Sequence, residues 1–145
     1  MQDCFKRNID YLRVSLTSNC NLRCQYCMPE QKIKQTEEML SQKDLIHLVE
    51  LISSTGIKKI RLTGGEPLLY PQIILELAKN LKPLSIPLFL ETNGTLVKQL
   101  AQVIDEIDII SMDMKLPSDI GKAYWQEHEE FLKLASKKDV YVKIV

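Results

Sequence analysis

Ile57-Lys58-Lys59-Ile60-Arg61-Leu62-Thr63-Gly64-Gly65-Glu66-Pro67 is the stretch on which the fold turns. Aliphatic and polar residues alternate through Thr63, which predicts a strand, the second in the chain. Two glycines then open a turn that permits positive φ and a close approach of backbone to a ligand. A bare Gly-Gly there indicates only a strand–helix turn. The carboxylate of Glu66, locked beside Pro67, marks the turn as a candidate site. Helical spacing comes next, with Ile73, Leu77 and Leu81 backed by Ile74 and Ala78 until Pro83 stops it.

The same unit repeats outward in both directions. Upstream, Tyr11 to Thr17 alternates as strand one and releases a cysteine-rich loop that Met28-Pro29-Glu30 closes. Gln31 to Met39 is polar without period, a solvated linker. Ser41 opens a helix with Asp44 as a capping-box-like partner, and Leu45, Leu48, Val49 and Ile52 form its core stripe up to a left-handed cap at Gly56. His47 lies beside that stripe at the surface. Downstream, Pro87 to Thr92 is strand three, closing on the turn dipeptide Asn93-Gly94. Thr95 is placed to cap a helix that buries Leu96, Leu100, Val103 and Ile104. Ile107 to Met112 reads as strand four, followed by Asp113-Met114-Lys115. A loop at Pro117 to Gly121 leads to a helix from about Ala123 to Ala135 carrying Tyr124, Phe131, Leu132 and Leu134. Its Glu127-His128-Glu129-Glu130 run reads as a solvated face, and Val140 to Val145 is strand five.

Strands alternating with helical crossovers predict parallel βα units with right-handed connections, an α/β fold. Each polar feature comes just after a strand: the thiols after strand one, Glu66 after two, Glu91 and Asn93 after three, Asp113 and Lys115 after four. In parallel sheets sites gather outside the carboxyl ends of strands, so these motifs converge on one edge.

The loop after strand one is Cys20-Asn21-Leu22-Arg23-Cys24-Gln25-Tyr26-Cys27, three thiols separated by three and then two residues. Clustered thiolates are soft ligands for one metal centre. A structural zinc site takes four protein ligands, which here would need Cys4 as well. A 4Fe–4S cluster held by three thiolates keeps one iron open for another ligand.

C-x3-C-x2-C with an aromatic before the last cysteine resembles the cluster motif of the radical S-adenosylmethionine (SAM) superfamily, and the resemblance covers essentially the whole chain. It implies a partial (βα)6 TIM-like barrel of the radical SAM type, here lacking its last βα unit, with residues 1–145 forming its core domain. It further implies that Cys20, Cys24 and Cys27 hold a 4Fe–4S cluster whose open iron is chelated by SAM. In that family the reduced cluster passes one electron to the sulfonium, releasing a 5′-deoxyadenosyl radical. Gly64, Gly65, Glu66 and Pro67 match the family's GGEP motif at the amino group of SAM. By the same resemblance Tyr26 lies against the cluster and adenine, its bland alternative being a partly buried loop aromatic. Glu91, Thr92 and Asn93 would form the strand-three part of the cofactor pocket. Ser111, Asp113 and Lys115 would form the strand-four part, with Lys115 or Ser111 reaching the carboxylate or ribose of SAM; alternatively, Asp113 and Lys115 simply pair with each other.

Tyr11 to Glu30 and Gly56 to Leu69 resemble the GTP 3′,8-cyclases of molybdenum-cofactor synthesis, with Tyr70 where those carry arginine and no cysteine after Cys27. Glu91 to Thr95 and Ser111 to Ser118 are more similar to 7-carboxy-7-deazaguanine synthases and to glycyl-radical activating enzymes. The implied partners are a small-molecule substrate, purine- or pterin-related, and an electron donor such as flavodoxin or ferredoxin. An activating enzyme would instead act on a protein.

The bulk figures fit one globular domain: 145 residues, 45% hydrophobic and 26% charged. Nineteen Lys and Arg balance nineteen Asp and Glu, so charge gives no reason to expect nucleic acid as a partner. The N-terminus lacks the apolar core of a signal peptide, and no apolar run has the length of a membrane span. A cytoplasmic location is therefore expected. A β-branched final strand leaves an unpaired edge, as in the N-terminal part of a longer protein or one that pairs with a partner. A non-catalytic zinc module on Cys4, Cys20, Cys24 and Cys27 is the alternative from another class.

Overall fold

The computed structural model describes residues 2–27 and 40–145. The Met28 to Glu30 turn and the linker from Gln31 to Met39 lie outside them. Five strands, β1 (Tyr11–Ser15), β2 (Lys59–Thr63), β3 (Leu88–Thr92), β4 (Ile109–Met114) and β5 (Asp139–Ile144), form one sheet in the order β1-β2-β3-β4-β5. Every pair is parallel, as the alternating strand and helix pattern requires. The helices are α1 (Gln42–Ser53), α2 (Pro71–Leu81), α3 (Val97–Val103), α4 (Pro117–Ile120) and α5 (Trp125–Ala135).

Local chemistry sets the helix ends. Ser41 accepts a hydrogen bond from the Asp44 amide and donates to Asp44 Oδ2 at 2.6 Å, the capping pair expected for α1. Pro71 starts α2 at a position where its missing amide costs nothing. A 3₁₀ turn over Lys82–Leu84 carries Pro83 out of that helix. Gly56 has a φ of 97°, two residues past the cap at Ser54.

The sheet has two unlike faces. Val14, Ile60, Leu62, Leu88, Leu90, Ile110 and Met112 pack under the helices with Ile46, Val49, Ile74, Leu77, Leu100, Val103 and Phe131. The alternate positions carry Arg13, Arg61, Glu91, Ser111 and Lys143, with Asp113 opposite Lys143 in register. Parallel sheets are ordinarily apolar on both faces. A charged second face marks the lining of an open barrel interior. Among the described residues no helix is long and apolar enough to cross a membrane.

Several sequence expectations need correction. β4 runs to Met114, so Asp113 belongs to the strand, because Asp113↔Lys143 and Met114↔Ile144 extend the ladder with β5. On α1 Val49 is buried and Leu45 and Ile52 pack against the core as expected, but Leu48 is 41% exposed and Ile46 takes the buried place beside Val49. Thr95 does not cap α3: Leu96 occupies the cap without a side-chain bond, and the Thr95 hydroxyl is used by Asn93. The loop after β4 contains the single turn α4, and α5 begins two residues later than expected. His128 is buried rather than solvated, sharing the inward stripe of α5 with Phe131 and Ala135. His47 is exposed, as expected.

Candidate functional site

The glycines after β2 admit the protein's own chain. Gly65 N donates to Thr17 O at 2.7 Å and Glu66 N to Asn19 O at 2.8 Å, extending the β1–β2 pairing into the segment that leads to Cys20. A Cβ on Gly65 would lie 2.1 Å from Asn19 O, and one on Gly64, whose φ is 126°, 2.4 Å from Thr17 O. Both obstacles are backbone, which cannot swing aside. The glycines therefore fix the base of the cysteine loop. Gly65→Ala is expected to destabilise the chain by about 2–3 kcal/mol, the cost of overpacking. Thermal unfolding checks this, and an unchanged midpoint would show that the approach is not needed.

Glu66 is wholly buried. Its Oε1 accepts from Leu68 N at 3.0 Å and Thr92 Oγ1 at 2.9 Å, and its Oε2 from Asn93 N at 2.8 Å. Where the sequence places this carboxylate on a ligand, the fold gives both oxygens to protein donors, because β2 and β3 end side by side. The carboxylate caps the 3₁₀ turn Pro67–Leu69 and ties it to the end of β3. Burial pushes its pKa up to about 7, against the pull of these hydrogen bonds.

Asn93 carries the tie across to the cysteine loop. Its Nδ2 donates to Asn21 Oδ1 at 2.8 Å and lies 3.8 Å from Cys20 Sγ, while the Leu22 amide reaches the same sulfur at 3.4 Å. Asn21 Nδ2 also donates to Thr95 Oγ1 at 2.8 Å, and Asn19 Nδ2 to Tyr70 Oη at 2.7 Å. Cys20, Cys24 and Cys27 are unlinked thiols, Cys24 buried and Cys27 exposed. Burial raises the pKa of Cys20 and of Cys24, which Lys115 partly offsets at Cys24.

On the other side of the loop, Lys115 Nζ donates to Tyr26 Oη at 2.7 Å and to Asp113 Oδ2 at 3.2 Å. Burial lowers its pKa, but Tyr26 and Asp113 outweigh that and hold it above the ordinary lysine value. Asp113 and Lys115 thus pair, and Lys115 also latches Tyr26. Tyr26 as a whole is 57% exposed.

Glu91 gathers the cations of the charged face. Arg13 Nη2 and Thr63 Oγ1 reach its Oε2 at 2.9 and 3.0 Å, and Lys143 Nζ its Oε1 at 2.8 Å. Burial pushes Glu91 up, yet Lys143, Thr63 and Arg13 together hold it below the usual carboxylate range. Arg61 donates to Tyr141 Oη at 3.0 Å, and Lys59 lies over the Tyr11 and Phe89 rings at 4.8 and 5.3 Å. Ser111 Oγ is buried without a hydrogen-bond partner among the described residues. The structure thus brings Cys20, Glu66, Thr92 and Asn93 together at one edge, and Tyr26, Asp113 and Lys115 beside them. Sequence reasoning missed Arg13, Arg61 and Lys143; their signal is their place on the polar period of each strand.

A model of the radical SAM superfamily matches residues 14–145. The chain belongs to the radical SAM superfamily. It is 42% identical over 129 residues to the GTP 3′,8-cyclase of Syntrophomonas wolfei, a match covering 86% of this chain and 39% of that protein. It is 38% identical over 124 residues to the GTP 3′,8-cyclase of Alkaliphilus metalliredigens, covering 81% and 38%. The chain thus spans about two fifths of the length of these relatives. In fold it is similar to native anSMEcpe with bound AdoMet, at a TM-score of 0.67 and 22% identity over 91% of this chain and 42% of that one. Streptococcus suis SuiB bound to precursor peptide SuiA superposes at 0.65 with 18% identity, over 92% and 32%.

The superfamily's cofactors are a 4Fe–4S cluster and SAM, and the donor set here suits them. Three free thiols, all soft ligands, share the one loop from Cys20 to Cys27.

Proposed function

We propose that this radical SAM core acts on a purine nucleotide, as the name GTP 3′,8-cyclase states for its relatives. Cys20, Cys24 and Cys27 would hold the cluster. Gly64, Gly65 and Pro67, with Thr92, Asn93 and Ser111, would form the SAM side of the pocket, flanked by Tyr26, Asp113 and Lys115. Glu66 serves this pocket by holding two strand ends in register. When bound, the cluster and SAM supply one-electron reductive cleavage of the sulfonium, and the protein supplies position and exclusion of water.

The observation that carries the substrate reading is the charged inner face of a parallel sheet. Arg13, Arg61 and Lys143 offer donors to phosphate oxygens, and Tyr141 offers a ring to a base. Glu91 orients Arg13 and Lys143 rather than binding the anion itself. The electron donor would be a flavodoxin or ferredoxin, in the cytoplasm.

Anaerobically reconstituted, dithionite-reduced protein is expected to form 5′-deoxyadenosine from SAM faster with GTP than without it. Arg13→Ala should raise the KM for GTP roughly tenfold or more, the loss of one charge-assisted hydrogen bond. Stimulation by 7-carboxy-7-deazaguanine precursors or a peptide, and not by GTP, would overturn the nucleotide reading.

A further inference from the structure

His128 stands outside the proposed pocket, yet it is 1% exposed on a helix whose Gln126, Glu129 and Glu130 face solvent. Its Nε2 lies 3.2 Å from the backbone oxygen of Asn93. A carbonyl only accepts, so Nε2 carries the proton. Burial holds the imidazole below its ordinary pKa, in the neutral form this tautomer needs.

All four polar atoms of Asn93 are consequently fixed. Its carbonyl is held by His128 on α5 and its amide N–H by Glu66 Oε2. Its Oδ1 accepts from Thr95 N at 3.1 Å and Thr95 Oγ1 at 2.7 Å. The backbone donor at Thr95 decides which way the side-chain amide faces: oxygen toward Thr95, nitrogen toward Asn21 Oδ1 and Cys20 Sγ. The bonds from Thr95 to Oδ1 are those of an ordinary Asx turn, but the Nδ2 contacts with Asn21 and Cys20 go beyond what a turn at the end of β3 needs.

Resting on the radical SAM reading of the thiols, we propose that Asn93 tunes the cluster held by Cys20 through N–H donation to its sulfur, and that His128 is the positioning residue that keeps Asn93 there. A donor at a ligand sulfur stabilises the more negative, reduced cluster and so raises its potential. The one-electron couple is the cluster's own, with dithionite as reductant in the test.

The test is a potentiometric titration of the reconstituted chain without SAM, monitored by the EPR signal of the reduced cluster. Asn93→Asp keeps the acceptor for Thr95, removes the amide donor and adds a negative charge that lowers the potential as well, so the neutral pair His128→Phe and His128→Gln isolates the donor's share. The Asn93 substitution is expected to lower the reduction constant about tenfold, or ~59 mV for one electron, with iron content unchanged. His128→Phe should shift the midpoint the same way by less, and His128→Gln, which can donate to the same carbonyl, should restore it. If Asn93→Asp does not fold, the two His128 variants decide the matter, since they leave every residue at the cluster in place. Midpoints equal to wild type in iron-replete variants overturn the inference alone. A wild-type chain that takes up no iron–sulfur cluster overturns the inference together with the reading beneath it.

Discussion

Glu66→Ala is expected to cost the fold about 4 kcal/mol at pH 5, one of the largest single-residue effects in the chain. The substitution orphans three buried donors, the Leu68 and Asn93 amides and the Thr92 hydroxyl. Each unsatisfied group costs about 1–3 kcal/mol. The cost is pH-dependent, because the carboxyl titrates near 7 in the fold against an ordinary 4.5. A group whose pKa is raised by folding binds its proton more tightly in the native state. Its contribution is complete below about 4.5 and is lost as pH rises through about 7, a difference of about 3 kcal/mol across the window. Wild type should therefore lose stability between pH 5 and pH 8. Glu66→Ala lacks that component, so the gap between the two narrows toward pH 8. Urea unfolding of both proteins at the two pH values measures it, and a gap independent of pH would show that the buried carboxyl does not titrate there.

Cys24→Ala is expected to abolish cluster assembly while leaving the fold nearly as stable as wild type. Cys24 is 7% exposed and packs as a small apolar side chain, so the lost sulfur costs stability only about 1 kcal/mol. Its loss as a ligand is of a different order, since two thiolates remain for a cluster that needs three. Anaerobic reconstitution should bring wild type to about four irons with a broad visible absorption that dithionite bleaches. The variant should stay colourless with iron near zero. Cys4→Ala is the matched control and should keep full iron, Cys4 being an exposed thiol of the N-terminal turn. Loss of metal from Cys4→Ala, or one zinc per wild-type chain, would instead establish the four-cysteine site.

The strands, their parallel order and the edge where the polar motifs meet were legible from local pattern. Period-2 alternation, glycine turns and helical stripes are properties of adjacent residues, and β1 to β5 arise from them. The edge of the α1 stripe was less legible: Leu48 and Ile46 are equally apolar, and only packing against α2 and the sheet decides between them. His128 shares its face with Phe131 and Ala135, a spacing present in the sequence but masked by the acidic residues around it.

The family and its thiol triplet were thus determined by the sequence alone, since both lie in short contiguous motifs. What Glu66, Asn93 and Glu91 do was decided by the tertiary structure. Their partners stand 26, 73 and 52 residues away, at Thr92, Cys20 and Lys143. A buried carboxylate or amide takes its role from whichever donors the neighbouring strand ends present, and chain order does not state which those are.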